Sequence, residues 1–350
     1  MGGAVRGPSA VHPLFVCGLK RRFILFTEKE ALLPYSVGGL MYTPAINDGI
    51  ARKLQEKAYP CLTALALCLE DSIADNALEE AEKQLLVTLE SIRHTTSVQD
   101  RPLLFVRIRT PEHMARVHAQ LGETEDVLTG YILPKFDLDN AEKYIELLCE
   151  INRNREKKLW IMPTLESGMV ADAAFRMDSL MKLKAAIDPI RDQILNIRVG
   201  GNDFSNLFGL RRKATQTIYD IGVIRDILTD ILNVFSRDYV ISGPVWEYFG
   251  NSTDGQWAVG LRRELELDAL NGFIGKTAIH PSQLPVIYNS LKVSREDFED
   301  AKSILGWNAQ GYAVAKSEGG NRMNEVKCHT RWAQKICCLA SVYGVSEDEA

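Results

Sequence analysis

Two acidic residues, Glu166 and Asp203, each close a hydrophobic run, WIMPTLE in the first case and ILNIRVGGND in the second. If those runs are neighbouring strands of a parallel sheet, their ends lie about 5 Å apart, and two carboxylates so placed can hold one hard cation. Magnesium suits such a pair, because it keeps several waters and needs only one or two protein carboxylates. Gly200 and Gly201, followed by Asn202, would let the backbone approach a ligand closely. The same two acids could instead serve as helix N-caps after their strands, a frequent role for Asp. Spacing alone leaves both readings open.

Further ionisable groups close the other apolar runs. TALALCLEDS (63–72) stops on the adjacent acids Glu70 and Asp71. In LLFVRIRT (103–110), alternation puts Val106 and Ile108 on one face and Arg107 with Arg109 on the other. An arginine facing a barrel interior needs a partner. Its planar guanidinium matches a substrate carboxylate, and a salt bridge to Glu70 or Asp71 would serve equally. Lys135 in ILPK could form a Schiff base if its pKa were lowered, but so many acids nearby should raise that pKa and favour an ion pair. His280, between Ile279 and Pro281, reads as a base, an orienting group or a satisfied core histidine.

These residues need strands to carry them, and eight apolar runs qualify: 40–45, 62–71, 103–110, 128–135, 159–167, 194–203, 239–246 and 272–281. The segments between them have helical spacing. ALEEAEKQLLVTLESI places Ala77, Ala81, Leu85 and Leu89 at four-residue intervals, with Glu79, Glu80 and Glu82 expected outside. Asp139 or Asn140 is expected to cap AEKYIELLCEINR, and Thr215 or Gln216 to start a long helix ending near Arg237. Strand then helix, repeated eight times, is the period of a (β/α)8 TIM barrel, whose strand ends converge on one mouth. A doubly wound sheet has the same alternation, but its first turn should carry GxGxxG, which is missing here. The expected organisation is an N-terminal extension (1–39), the barrel (40–306) and a C-terminal helical lid or oligomer contact (307–350) interrupted by the turn SEGGN (317–321).

Composition narrows the function classes. The 350 residues are 46% hydrophobic and 25% charged, enough for a sizeable core, and the net charge of -5 argues against a nucleic-acid surface. Lys20-Arg21-Arg22 and Arg211-Arg212-Lys213 read as solvated faces. Seven cysteines, without a CxxC pair, point to reduced thiols and a cytoplasmic location. The first twenty residues lack a signal-peptide core, Arg6 spoils a myristoylation site after Gly2, and no apolar run reaches the ~18 residues of a membrane span.

The order LMYTPA, CLEDSI, VRIR, ILPK, PTLESG, GGNDFSNLFG, GFIGKTAIHPSQ resembles the citrate lyase β-subunit group of the HpcH/HpaI aldolase superfamily, over about residues 38–306. The resemblance implies a TIM barrel binding Mg2+, with Mn2+ as an alternative, through Glu166 and Asp203. It implies that Arg107 holds a carboxylate or carbonyl oxygen, and that Glu70 and Asp71 lie beside the ion's water shell. Members of that group cleave or form a carbon-carbon bond next to a carbonyl, often in a CoA or carrier-protein thioester. Cleavage leaves an enolate whose charge a cation stabilises, without a covalent lysine.

This sequence departs from the family pattern at Cys68, where DLED is usual, at Arg109, where VRIN is usual, and at Ala45, where a glycine is usual. These changes surround the expected substrate pocket, and Cys68 marks the place where specificity should differ. The tail SEGGNRMNEVKCHTRWAQKI resembles the family's lid, in which an acid is supplied across a subunit interface; Glu325 lies near that position, and a homotrimer or homohexamer is implied.

The expected activity is therefore a Mg2+-dependent carbon-carbon lyase or aldolase acting on a small carboxylate or acyl-thioester. Arg107, Glu70, Asp71 and Glu325 are its candidate catalytic residues. Arg107, Arg109, Lys135, Gly201 and Asn202 are its candidate substrate contacts, with Arg211 and Arg212 available to a larger anion. A thioester hydrolase on the same barrel, or a non-catalytic homologue, are the alternatives; the products separate the first, and the crowding of charges at one rim speaks against the second.

Overall fold

The structure is a computed structural model describing residues 29–307, 312–317 and 319–346. The features expected within residues 1–28, including Cys17 and the Lys20-Arg21-Arg22 cluster, and Glu318 of the glycine-rich turn lie outside the described residues.

Seven parallel strands form the wall: β1 (Gly39–Pro44), β2 (Ala64–Cys68), β3 (Leu103–Arg107), β4 (Gly130–Leu133), β5 (Trp160–Leu165), β6 (Arg198–Val199) and β7 (Lys276–Ala278). Their order is β6-β5-β4-β3-β2-β1-β7. The eighth expected strand, 239–246, is reduced to single bridges, Ile197 to Ile241 on one side and Gly243 to Lys276 on the other. It still stands between β6 and β7 and closes the sheet into a barrel, which excludes the doubly wound alternative. The reduction has a physical cause. Pro244 has no N–H to give a ladder, and Gly243 cannot carry a side chain, because a Cβ there would lie 2.6 Å from Asp268 Oδ2.

Strand alternation divides the core in two. Inward residues Leu40, Ala64, Ala66, Phe105, Ile132 and Met162 plug the barrel, while Met41, Leu65, Leu67, Val106, Tyr131 and Ile161 face the helices. One layer above the plug the inward positions turn polar: Cys68 lies opposite Arg107 in register, and Thr164 opposite Arg198. The barrel is thus a packed body with a polar mouth, as the fold requires.

The helices differ from expectation at their starts. The cap of Leu138–Asn152 is Asp137, with Asn140 bonding back to it as the third residue of a capping box. Thr217 and Asp220 make their own capping box on a single turn, Ile218–Asp220, so the long helix begins only at Gly222 and ends at Phe235. Glu82 in Leu78–Thr95 is buried rather than exposed, because His113 and Arg116 reach it at 3.0 and 2.6 Å.

The helix Gln256–Asn271 is locked to β7 by charges. Lys276 Nζ lies 2.9 Å from Glu264 and 2.6 Å from Asp268, with all three fully or nearly fully buried. Arg212 joins Glu264 at 3.2 Å, so it belongs to this network and not to a solvated face. Beneath the barrel, Lys29–Ser36 and Val326–Tyr343 pack together, and Tyr343 donates a 2.6 Å hydrogen bond to the Tyr35 carbonyl. A short antiparallel hairpin, β8 (Val314–Lys316) with β9 (Met323–Glu325), precedes that last helix. Among the described residues no helix is long and apolar enough to cross a membrane, and the six described cysteines are all free thiols.

Candidate active site

Glu166 follows β5 directly, and Ser167, not Glu166, caps the next helix through a bond from Val170 N. Asp203 sits in the first turn of Gly201–Leu207, whose cap is Gly200. Neither acid is therefore spent as an N-cap. The glycine between them explains their convergence. A Cβ on Gly200 would meet Glu166 Oε2 at 2.1 Å and Asp203 Oδ2 at 3.0 Å, so both carboxylates reach into the space that the missing side chain leaves. Gly201 is equally constrained, with Pro244 Cβ 2.6 Å from where its own Cβ would be.

Glu166 is held from the other side by Lys135. The backbone there has φ +47°, an unusual left-handed turn for a lysine, and it aims the Lys135 amide at Glu166 Oε1 at 2.8 Å. Its side chain goes elsewhere: Nζ lies 2.7 Å from Glu70 and 3.5 Å from Asp71. The hydrogen bond to Glu70 raises the lysine's pKa, in keeping with an ion pair.

Arg107 is enclosed by acids. Its Nη2 lies 2.8 Å from Glu70, 3.1 Å from Asp71 and 3.6 Å from Glu166, and its guanidinium stands over the Tyr42 ring at 5.6 Å. Glu70 is buried, and that burial, with Asp71 beside it, pushes its pKa up against the pull of Arg107 and Lys135. Asp71 is half exposed. Burial acts to raise its pKa, but Glu70, Arg107 and Lys135 together bring it below the usual range. Burial drives the Glu166 carboxyl up to about 8, with Asp203 adding to the rise and Arg107 opposing it.

Asp71, Arg107, Glu166 and Asp203 border a cavity of about 440 Å³ that also includes Tyr42, Cys68, Thr164, Arg198, Gly201, Asn202 and Thr277, while Glu70 and Lys135 stand behind its wall and not in its lining. Other expected residues lie elsewhere. The strand ends at Arg107, and Arg109 turns away to clamp the following loop, bonding to the carbonyls of Leu69 (2.7 Å) and Ile73 (2.6 Å) and to Asp75 (2.5 Å). His280 stacks on Phe249 with ring centroids 4.5 Å apart and meets Ser282 Oγ at 2.9 Å, a half-buried, satisfied histidine. Arg211 pairs with Glu247 at 3.2 Å. Glu325 closes the β8–β9 hairpin, and its amide bonds to His329 Nδ1 at 3.0 Å.

Arg198 was not expected at the cavity. The signal that would have found it is the one that found Arg107: in Ile197-Arg198-Val199 the flanking residues belong to the outer core, so alternation sends Arg198 inward.

Among the described residues no group of three or more His, Cys, Asp or Glu side chains is arranged to hold a metal ion. Two carboxylates beside a glycine-lined space fit a hard ion that retains water.

The family model described as C-C bond lyase of the TIM-barrel fold matches residues 31–345. No curated protein matches the chain. Among solved structures, CitE from Mycobacterium tuberculosis in complex with magnesium, acetoacetate and coenzyme A is similar with a TM-score of 0.59 and 21% identity, over 88% of this chain and 99% of that one. CitE of the same organism with magnesium and pyruvate gives 0.50 and 22%, over 75% and 93%. RipC from Yersinia pestis gives 0.49 and 16%, over 73% and 95%. At these identities the likeness to the CitE structures is one of fold.

Proposed function

Since the chain belongs to the C-C bond lyases of the TIM-barrel fold, we propose that it is a Mg2+-dependent, citrate lyase β-subunit-like lyase that cleaves or forms a carbon-carbon bond next to a carbonyl in a small carboxylate or acyl-thioester. The observation that carries this reading is the convergence of Glu166 and Asp203 on the space at Gly200, beside a cavity large enough for a small metabolite. Glu166 and Asp203 would hold the ion. When bound, Mg2+ would supply electrostatic stabilisation of the negative charge that develops on the reacting carbonyl oxygen.

The remaining residues have roles set by their contacts. Arg107 balances the acids and keeps their carboxylates in place. Asp71 borders the cavity and is held in its ionised form, a charge that would order water or a substrate hydroxyl beside the ion. Glu70, beneath it, is fixed by Lys135 and Arg107. Gly201 and Asn202 offer backbone and amide contacts at the rim. Glu325 bonds to none of these residues in its own chain and would act on the site of a neighbouring copy, in a homotrimer or homohexamer measurable by light scattering. The protein is proposed to work in the cytoplasm.

Calorimetric titration with Mg2+ tests the metal assignment: Glu166→Gln and Asp203→Asn should each weaken binding by roughly 10- to 100-fold while the fold, followed by circular dichroism, persists. Unchanged affinity in both variants would remove it. Product analysis by NMR on a panel of carboxylates and acyl-thioesters separates chain cleavage from release of a free thiol alone, the latter outcome identifying a hydrolase.

A further inference from the structure

Two arginines face the cavity, and their surroundings differ. Arg107 has three carboxylates within 3.6 Å. Arg198 is only 2% exposed, and the groups that act on its charge are the Tyr42 hydroxyl, favourably, and Arg107, unfavourably. Its Nη2 donates to Thr277 Oγ1 at 2.5 Å, across the seam between β6 and β7. Its Nη1 has no hydrogen-bond partner, and neither does the buried hydroxyl of Thr164, its register neighbour on β5. A guanidinium keeps its proton inside a protein, and a buried charge without a counter-ion is strongly disfavoured. Thr277 and Tyr42 are neutral groups that orient this charge without cancelling it.

The lining carries the acids Asp71, Glu166 and Asp203, whereas Arg198 adds a buried positive charge with no acid of its own and an unused N–H, and the hydroxyl of its register neighbour Thr164 is unused as well. We propose that Arg198, oriented by Thr277 and Tyr42, is a receptor for a carboxylate of the substrate. This rests on reading the cavity as the lyase substrate site, and it narrows the substrate class to small organic acids that carry a carboxylate apart from the reacting carbonyl. One carboxylate oxygen takes the Nη1 proton donor and the other the Thr164 hydroxyl, which satisfies both buried orphans at once.

The test is calorimetric titration of the full chain with malonate and with pyruvate, at saturating Mg2+. Arg198→Met should weaken binding of these anions by about 10- to 100-fold, the loss expected for a charged hydrogen bond, and leave Mg2+ affinity within about twofold. Arg198→Lys, which keeps the charge and loses the fork, should recover part of the loss. Thr277→Val should weaken binding by a smaller factor, and it tests the same contact should Arg198→Met fail to fold. Unchanged anion affinity in Arg198→Met, or in Thr277→Val if it is the variant that folds, would overturn the proposal, as would failure of the wild-type protein to bind either anion. The two readings separate cleanly: Arg198-dependent binding without carbon-carbon cleavage removes the lyase reading alone, and cleavage that survives Arg198→Met with an unchanged KM removes this one alone.

Discussion

With no cation beside it, Glu166 keeps a proton at pH values where an ordinary glutamate has lost it, because burial lifts its carboxyl from 4.5 to about 8. The consequence for stability has a definite sign. Between these two values the native chain holds a proton that the unfolded chain has released, so the contribution of Glu166 to stability falls as pH rises through that window, by up to about 1.4 kcal/mol per pH unit. Glu166→Gln should flatten this part of the profile. Urea unfolding of both proteins at pH 5, 6, 7 and 8 without divalent cations reads the difference, and parallel profiles would show that the proton is not held at Glu166. Of the residues around it, Arg107 was legible in the sequence because one charged residue interrupts an otherwise apolar strand. Arg198 interrupts its strand in the same way, but the glycines and Asp203 that follow drew the chemistry to themselves. Arg109 misled for a physical reason: the alternation on which its inward placement depended stops where β3 stops, at Arg107. Cys68, where the family pattern has an acid, does line the cavity, and its thiol removes a charge from the wall opposite Arg198.

At the scale of elements, the apolar runs located every strand of the barrel, since packing on both faces leaves a plain hydrophobic signature, but not the short, largely exposed hairpin of β8 and β9. The helix starts were less legible because capping depends on side-chain geometry as much as on residue type. Asp137, Asp139 and Asn140 are all competent, and the turn after Lys135 decides which one caps. Least visible was the buried network on β7 and Gln256–Asn271, because its pairs follow no spacing rule: Lys276 meets Asp268 across 8 residues, and Arg212 meets Glu264 across 52. Lys276 serves two acids there, Glu264 and Asp268, while Tyr219 donates to Asp268 at 2.7 Å. Lys276→Met leaves both acids buried without their cation and should cost about 3–5 kcal/mol of stability, measured by urea denaturation. A loss under about 1 kcal/mol would mean that Arg212 and Tyr219 suffice.

In the whole molecule, the two ends of the barrel have separate tasks. The base is sealed by the helices at either end of the described chain, with Tyr343 held against Tyr35 and filling the space that Gly38 leaves. The mouth carries the charges. Closure itself could not be read from periodicity, because a segment that pairs through single bridges has the same apolar pattern as a full strand. That segment, 239–246, makes the wall uneven in a way that time-resolved measurements can see. Its amides are tied by isolated bonds, Ser242 N to the Ile197 carbonyl and Gly243 N to the Gly275 carbonyl among them, whereas β2 is paired along its length on both sides. In deuterium exchange, a peptide covering 239–246 should label about tenfold faster than one covering 64–68, the order expected for a locally opening stave beside a rigid one. Arg198 and Thr277 are bonded to each other across that stave, so an anion that fixes Arg198 firms this cross-brace, and malonate should slow exchange there while leaving β2 unaltered.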